Sequence, residues 1–206
     1  SLPDLALSVN SSLAEFDLPQ APEERVLTWI GNGAPVLIAR ALDWAREQSG
    51  RTLSEADVEK VKARFAYYYG ENLCNISRLY PNVKATLEAL KAKGYTLAVV
   101  TNKPTKHVRP VLAAFGIDQL FDEMLGGQSL PAIKPHPGPL YYLCGKFGFE
   151  PRQVLFVGDS KNDIIAAHAA GCAAVGLTYG YNYNIPISES GPDWVFDDFA
   201  RLLEIL

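Results

Sequence analysis

The sequence predicts an α/β protein with a doubly wound, mostly parallel sheet over residues 79–206, preceded by an all-helical unit over residues 1–78. Three observations predict it. Before Ser77, apolar residues recur at helical spacing and no strand-like run appears. Beyond Tyr80, short runs rich in valine and leucine alternate with helix-length segments. Several of those runs end in polar residues of ligand type, which is where such sheets bind their ligands.

In the first part, Leu5, Val9 and Leu13, then Val36, Leu37, Ala41 and Trp44, recur at three- and four-residue spacing. Thr52 and Glu55 have capping-box spacing and open a charged amphipathic stretch with Val58, Val61, Phe65 and Tyr68 or Tyr69 on its apolar side. The tyrosines Tyr67, Tyr68 and Tyr69 read as packing residues of this bundle. Tyr80-Pro81 is the expected seam between the two parts. A helix over Val83 to Lys93 is stopped by Gly94. Buried parallel strands are expected over Thr96 to Val100, Val154 to Val157 and Ala173 to Leu177. Helices are expected over Thr105 to Phe115, Pro139 to Phe147 and Asn162 to Ala170, with Gly116, Gly148 and Gly171 as stops.

Bulk properties narrow the function. The chain has 206 residues, 48% hydrophobic and 20% charged, with a net charge of -4 and no lysine or arginine block. That is globular composition with no electrostatic footprint for nucleic acid or an anionic membrane, so a small-molecule partner is expected. No apolar run approaches the roughly 18 residues that cross a bilayer. The expectation is a soluble, cytoplasmic protein, monomeric or homodimeric. Cys74, Cys144 and Cys172 form no CxxC pair and read as reduced small hydrophobes. His107, His136 and His168 lie far apart and give no metal-ligand spacing.

Three places carry chemistry. The run Leu97 to Val100 ends in Thr101-Asn102-Lys103, where a hydroxyl and an amide can donate to an anionic oxygen at a helix N-terminus. Taken alone, Thr101 reads first as a simple helix cap. The run Val154 to Gly158 ends in Asp159-Ser160-Lys161-Asn162-Asp163, whose two carboxylates straddle a strand-to-helix turn. Such hard oxygen ligands suit Mg²⁺, although a cap and a dipole partner would use the same residue types. Lys134, held before Pro135, offers a point cation that would offset phosphate and carboxylate charge together.

In this order, TNK, KP and GDSxxD resemble the second, third and fourth motifs of haloacid dehalogenase superfamily phosphatases. The helical first part is similar to the cap domain of that family, and the remainder to its Rossmann-like core. Trp29-Ile30-Gly31-Asn32-Gly33 and Leu177-Thr178-Tyr179-Gly180-Tyr181-Asn182 resemble the phosphoglycolate phosphatases in particular. The resemblance implies a Mg²⁺-dependent phosphomonoester hydrolase of carbohydrate metabolism, acting on a small phosphorylated metabolite, 2-phosphoglycolate first among them. It implies catalytic roles for Thr101, Lys134 and Asp159, and metal binding by Asp159 and Asp163. It implies phosphoryl binding by Thr101, Asn102 and Lys134, and reading of the substrate's organic end by Asn32 and Gly33 in a cap that closes over the core.

One part of the family pattern is missing. Its first motif, a strand ending in Asp-x-Asp-Gly-Thr that supplies the nucleophile, is absent from these 206 residues, and Ser1-Leu2-Pro3-Asp4 resembles the residues immediately after that motif. The expectation is a natural protein beginning about a dozen residues or more upstream. On that expectation the strand between those of Val99 and Phe156 is missing, two rows of amides and carbonyls face one another unpaired, and this chain alone is inactive and poorly stable. The alternatives are a related phosphomutase, phosphonatase or other phosphatase of the family, or a catalytically dead module that binds phosphoryl ligands. A dehalogenase has no use for the Asp159 and Asp163 pair.

Overall fold

The computed structural model describes residues 1–206, which divide into two compact units, Ser1–Arg78 and Leu79–Leu206. In the first unit, helix α1 (Leu2–Ala14) buries Leu5, Val9 and Leu13 at the spacing read from the sequence. A five-residue helix, α2 (Glu23–Leu27), is too short to show a repeat and escapes that reading. Helix α3 (Ala34–Ser49) buries Leu37, Ile38, Ala41, Leu42 and Ala45. Val36, expected on this stripe, is exposed, because at 100° per residue it lies almost opposite the middle of the stripe. Helix α4 (Glu55–Glu71) buries Val61, Phe65 and Tyr69, with the Phe65 and Tyr69 rings stacked 5.7 Å apart. Its cap is Ser54, whose Oγ accepts the Asp57 N–H at 3.2 Å, and not Thr52: the helix starts at Glu55, so the extended residue immediately before it takes the cap.

These helices share one apolar core, with α1 packed on the other three. Asp4 ties the two ends of the unit together. Its buried carboxylate accepts the N–H groups of Ile76 and Ser77, each at 2.9 Å, and the Ser77 hydroxyl. Burial alone would raise its pKa, but the donors from Ser77 and Ile76 prevail and hold it below the usual carboxylate value.

The second unit runs α5 (Val83–Ala92), β1 (Ala98–Val100), α6 (Thr105–Ala114), β2 (Glu123–Leu125), α7 (Gly138–Phe147), β3 (Leu155–Gly158), α8 (Lys161–Ala170), β4 (Ala173–Leu177) and β5 (Trp194–Phe196). Every strand pairing is parallel, with Val99 opposite Met124, Phe156 opposite Ala174 and Gly176 opposite Val195. The α/β class and parallel pairing are as the sequence predicts. So is an interruption between the strands of Val99 and Phe156. The strands form a pair, β1–β2, and a separate triplet, β3–β4–β5. No strand lies between β1 and β3, so no ladder joins the two groups.

Side chains nonetheless continue one layer across that gap. Val100, Val154 and Phe156 pack on one face against Leu140 of α7 and Ile164, Ala166 and Ala167 of α8. Leu155 and Val157 point the other way, joining Val175, Leu177, Phe196 and Leu202, as the two-residue period of a strand requires. Helical cover on both faces is what lets these strands be apolar throughout.

Candidate active site

Lys134 sits on the segment between β2 and α7, with its side chain 13% exposed. Its Nζ donates to the Val100 carbonyl at the end of β1 at 2.7 Å and to Asp163 Oδ1 at 2.7 Å. It also lies 5.5 Å from the centre of the Phe156 ring on β3. The ammonium therefore links β1, β3 and α8 where the ladder is interrupted. Asn102 holds the lysine's backbone from both sides: Nδ2 donates to the Lys134 carbonyl at 2.8 Å, and Oδ1 accepts the Lys134 N–H at 3.1 Å.

Helix α8 begins in the same place. Ser160 caps it, and Asp163 Oδ2 reaches back to accept the N–H groups of Ser160 at 3.0 Å and Asp159 at 3.2 Å. A Cβ on Gly158 would fall 2.3 Å from Asp163 Cβ and Cγ, so only glycine lets the strand end approach the helix this closely.

The Asp159 carboxylate accepts the Tyr181 N–H at 3.0 Å through Oδ2. Gly180, at φ +108°, permits this; a Cβ there would come within 1.9 Å of the same oxygen. Burial first, and then the negative charge of Asp163, raise the Asp159 pKa above the usual value, against the opposing pull of the Tyr181 N–H and the Lys134 ammonium. Tyr80 and Tyr179 pack together nearby, their rings tilted by 33° with centres 4.2 Å apart, and burial pushes the Tyr179 hydroxyl up to about 12.

The structure thus joins Lys134 to Asp163, Asn102 to Lys134, and Asp163 to the backbone of Asp159. Thr101 comes directly after Val100; its N–H extends the strand pairing to the Leu125 carbonyl at 2.9 Å, and its Oγ1 accepts the Lys103 N–H at 3.1 Å. Asn32 and Gly33 belong to the helical unit. Gly33 precedes α3 at φ +87°, and Arg40 holds the turn by donating to Asn32 Oδ1 at 3.3 Å and to the Trp29 carbonyl at 3.0 Å. Two features went unread in the sequence: the amide of Asn102 spent on Lys134, and the seat that Gly180 and Tyr181 make for Asp159. The second works through a backbone N–H and a missing Cβ, which leave no side-chain signature.

The donor set bears on the metal. No group of three or more His, Cys, Asp or Glu side chains is arranged to hold an ion. Mg²⁺ needs no such cage, because it commonly takes one or two carboxylates and completes its shell with phosphate and water. Two adjacent carboxylates, one of them with a raised pKa, form the kind of charge concentration that a dication offsets. Asp163 already serves Lys134 and two backbone N–H groups, which leaves Asp159 as the carboxylate better suited to direct contact.

Comparison with known proteins identifies the family. Residues 2–177 match the family model of haloacid dehalogenase-like hydrolases. The chain is 84% identical over 206 residues to a phosphoglycolate phosphatase of Haemophilus influenzae (strain 86-028NP), covering 100% of this chain and 92% of that protein. It is 78% identical, with the same coverage, to a phosphoglycolate phosphatase of Pasteurella multocida (strain Pm70). A crystal structure described as a predicted phosphoglycolate phosphatase from Haemophilus somnus 129PT superimposes with a TM-score of 0.98 at 72% identity, covering 100% of this chain and 91% of that one. The chain belongs to the haloacid dehalogenase-like hydrolase family, and within it resembles the phosphoglycolate phosphatases.

Proposed function

We propose that this protein is a Mg²⁺-dependent phosphomonoester hydrolase whose substrate is a small phosphorylated metabolite, 2-phosphoglycolate first. The observation that carries the reading is the convergence of the Lys134 ammonium with Asp163 and Asp159 at the carboxyl ends of β1 and β3. The names of the relatives supply the substrate.

Attack by a carboxylate on a phosphate dianion brings like charges together, so the site must hold positive charge before it can hold a nucleophile. Lys134 supplies one such charge in a place with little water. Mg²⁺, held by Asp159 and supported by Asp163 directly or through water, would supply the rest when bound. Thr101 and the N–H groups that open α6 are suited to the transferring phosphoryl oxygens. Asn102 keeps Lys134 in place by binding its backbone, in addition to any contact with the phosphoryl group. The nucleophile in this reading is an aspartate on a strand that the interval between β1 and β3 would seat. Its oxygen bonds to phosphorus as the ester P–O bond breaks, the alcohol leaves with a proton from water or a neighbouring acid, and water then splits the aspartyl-phosphate to inorganic phosphate and free aspartate. Asn32 and Gly33 remain the candidates for reading the organic end of the substrate.

Phosphate release from 2-phosphoglycolate and from a panel of other phosphate esters, with Mg²⁺ and with EDTA, tests the reading. Mg²⁺-dependent release abolished by Asp159→Ala supports hydrolysis. Wild-type rates in Asp159→Ala would refute the assignment.

A further inference from the structure

The segment after β4 returns to Asp159 and to the start of α8, and none of its residues has a role in the mechanism above. Tyr181 donates its N–H to Asp159 Oδ2 at 3.0 Å. The next residue, Asn182, is 9% exposed and uses both ends of its amide. Its Oδ1 accepts the Lys161 N–H, in the first turn of α8, at 2.7 Å, and its Nδ2 donates to the Ile185 carbonyl at 2.9 Å. Tyr183 and Asn184 come next at φ +54° and +60°, a conformation that non-glycine residues adopt at some energetic cost. The Lys161 ammonium lies 5.0 Å from the centre of the Tyr183 ring. A side chain pinned at both ends, in a turn that holds two consecutive residues in the left-handed region, fixes the Tyr181 N–H relative to the helix that carries Asp163.

The geometry points to Asn182 as a positioning residue for the Asp159 carboxylate: it anchors the Gly180–Asn182 turn to the N-terminus of α8, so that one oxygen of Asp159 stays engaged by Tyr181 and the other is aimed at the cation. This inference rests on the proposed role of Asp159 as the residue that contacts Mg²⁺. Asn182 touches neither phosphate nor metal in this scheme. Outer-shell partners of this kind fix the orientation of a ligand, and their loss typically weakens metal affinity 10- to 100-fold.

The test is calorimetric titration of the protein with Mg²⁺ alone, alongside thermal melting. Asn182→Ala should weaken Mg²⁺ binding by about tenfold while the chain stays folded. Asn182→Asp keeps an oxygen for the Lys161 N–H but loses the donor to the Ile185 carbonyl, so it should fall between wild type and Asn182→Ala, a partial rescue that a merely space-filling role would not produce. Gly180→Ala attacks the same seat from the other side, since its Cβ would collide with Asp159 Oδ2, and should weaken binding in the same way. A folded Asn182→Ala protein that binds Mg²⁺ like wild type overturns the inference. If that variant does not fold, Gly180→Ala decides, and unchanged affinity there overturns it. Asp159→Ala separates the two levels: if it binds Mg²⁺ as well as wild type, the proposed metal site fails and the inference with it. If Mg²⁺ binding depends on Asp159 but not on Asn182, only the anchoring role fails.

Discussion

Replacing Lys134 with methionine removes one ammonium and keeps the stem over Phe156, so it isolates the charge that links β1 to α8 across the interrupted sheet. The ion pair is enclosed, with side-chain exposures of 13% for Lys134 and 6% for Asp163. Removing one partner of such a pair typically costs about 3–5 kcal/mol, because the other charge is left buried. Asp163 keeps the Ser160 and Asp159 N–H groups on Oδ2, which places the loss near the lower end, about 3 kcal/mol. At 1.36 kcal/mol per tenfold, that is about a 10²-fold rise in the population of the open state. Hydrogen exchange measured by mass spectrometry over peptides spanning 98–100 and 155–177 reads this population directly. The expected result for Lys134→Met is exchange about 10²-fold faster in both segments, with the helical unit 1–78 unchanged. Exchange within threefold of wild type would refute the claim that this ammonium holds the two strand groups together.

Two other substitutions probe the same physics elsewhere. Gly158→Ala should destabilise the second unit by about 2 kcal/mol through overpacking against Asp163, lowering its melting temperature by about 6 °C in calorimetry. Asp4→Ala leaves the donors of Ile76 and Ser77 without their carboxylate and should cost the helical unit about 3 kcal/mol in urea denaturation at neutral pH. The pH dependence derives from the lowered pKa of Asp4 in the folded chain. Its contribution is present above the unfolded value of about 3.9 and is lost as pH falls through the folded value. The stability difference between wild type and Asp4→Ala should therefore shrink in acid, and a difference that grew on acidification would contradict the assignment.

The sequence made some of this architecture legible and concealed the rest for identifiable reasons. The runs ending at Val100, Gly158 and Leu177 were readable because buried parallel strands are apolar on both faces. Strands Glu123–Leu125 and Trp194–Phe196 were not, because their apolar residues number only two and three and are bounded by acidic residues or glycine, too short a run to stand out. The polar residues after β1 and β3 were candidates by their place at strand ends alone. Their mutual contacts were invisible, since Lys134 meets Asp163 across 29 positions and Asp159 meets Tyr181 across 22. The gap between β1 and β3 was legible too, because the family pattern seats there a strand that these residues do not provide. Phe156 and Val100 still converge on α7 and α8, so the apolar layer survives where the hydrogen-bonded one does not.

The central claim is that Lys134 and Asp159 serve one phosphate and one cation. A crystal structure of the protein grown with Mg²⁺ and inorganic phosphate tests it most directly. The account predicts Mg²⁺ at about 2.1 Å from an Asp159 carboxylate oxygen, and a phosphate oxygen within about 3 Å of Lys134 Nζ. Phosphate bound elsewhere, with Asp159 contacting only protein, would contradict it.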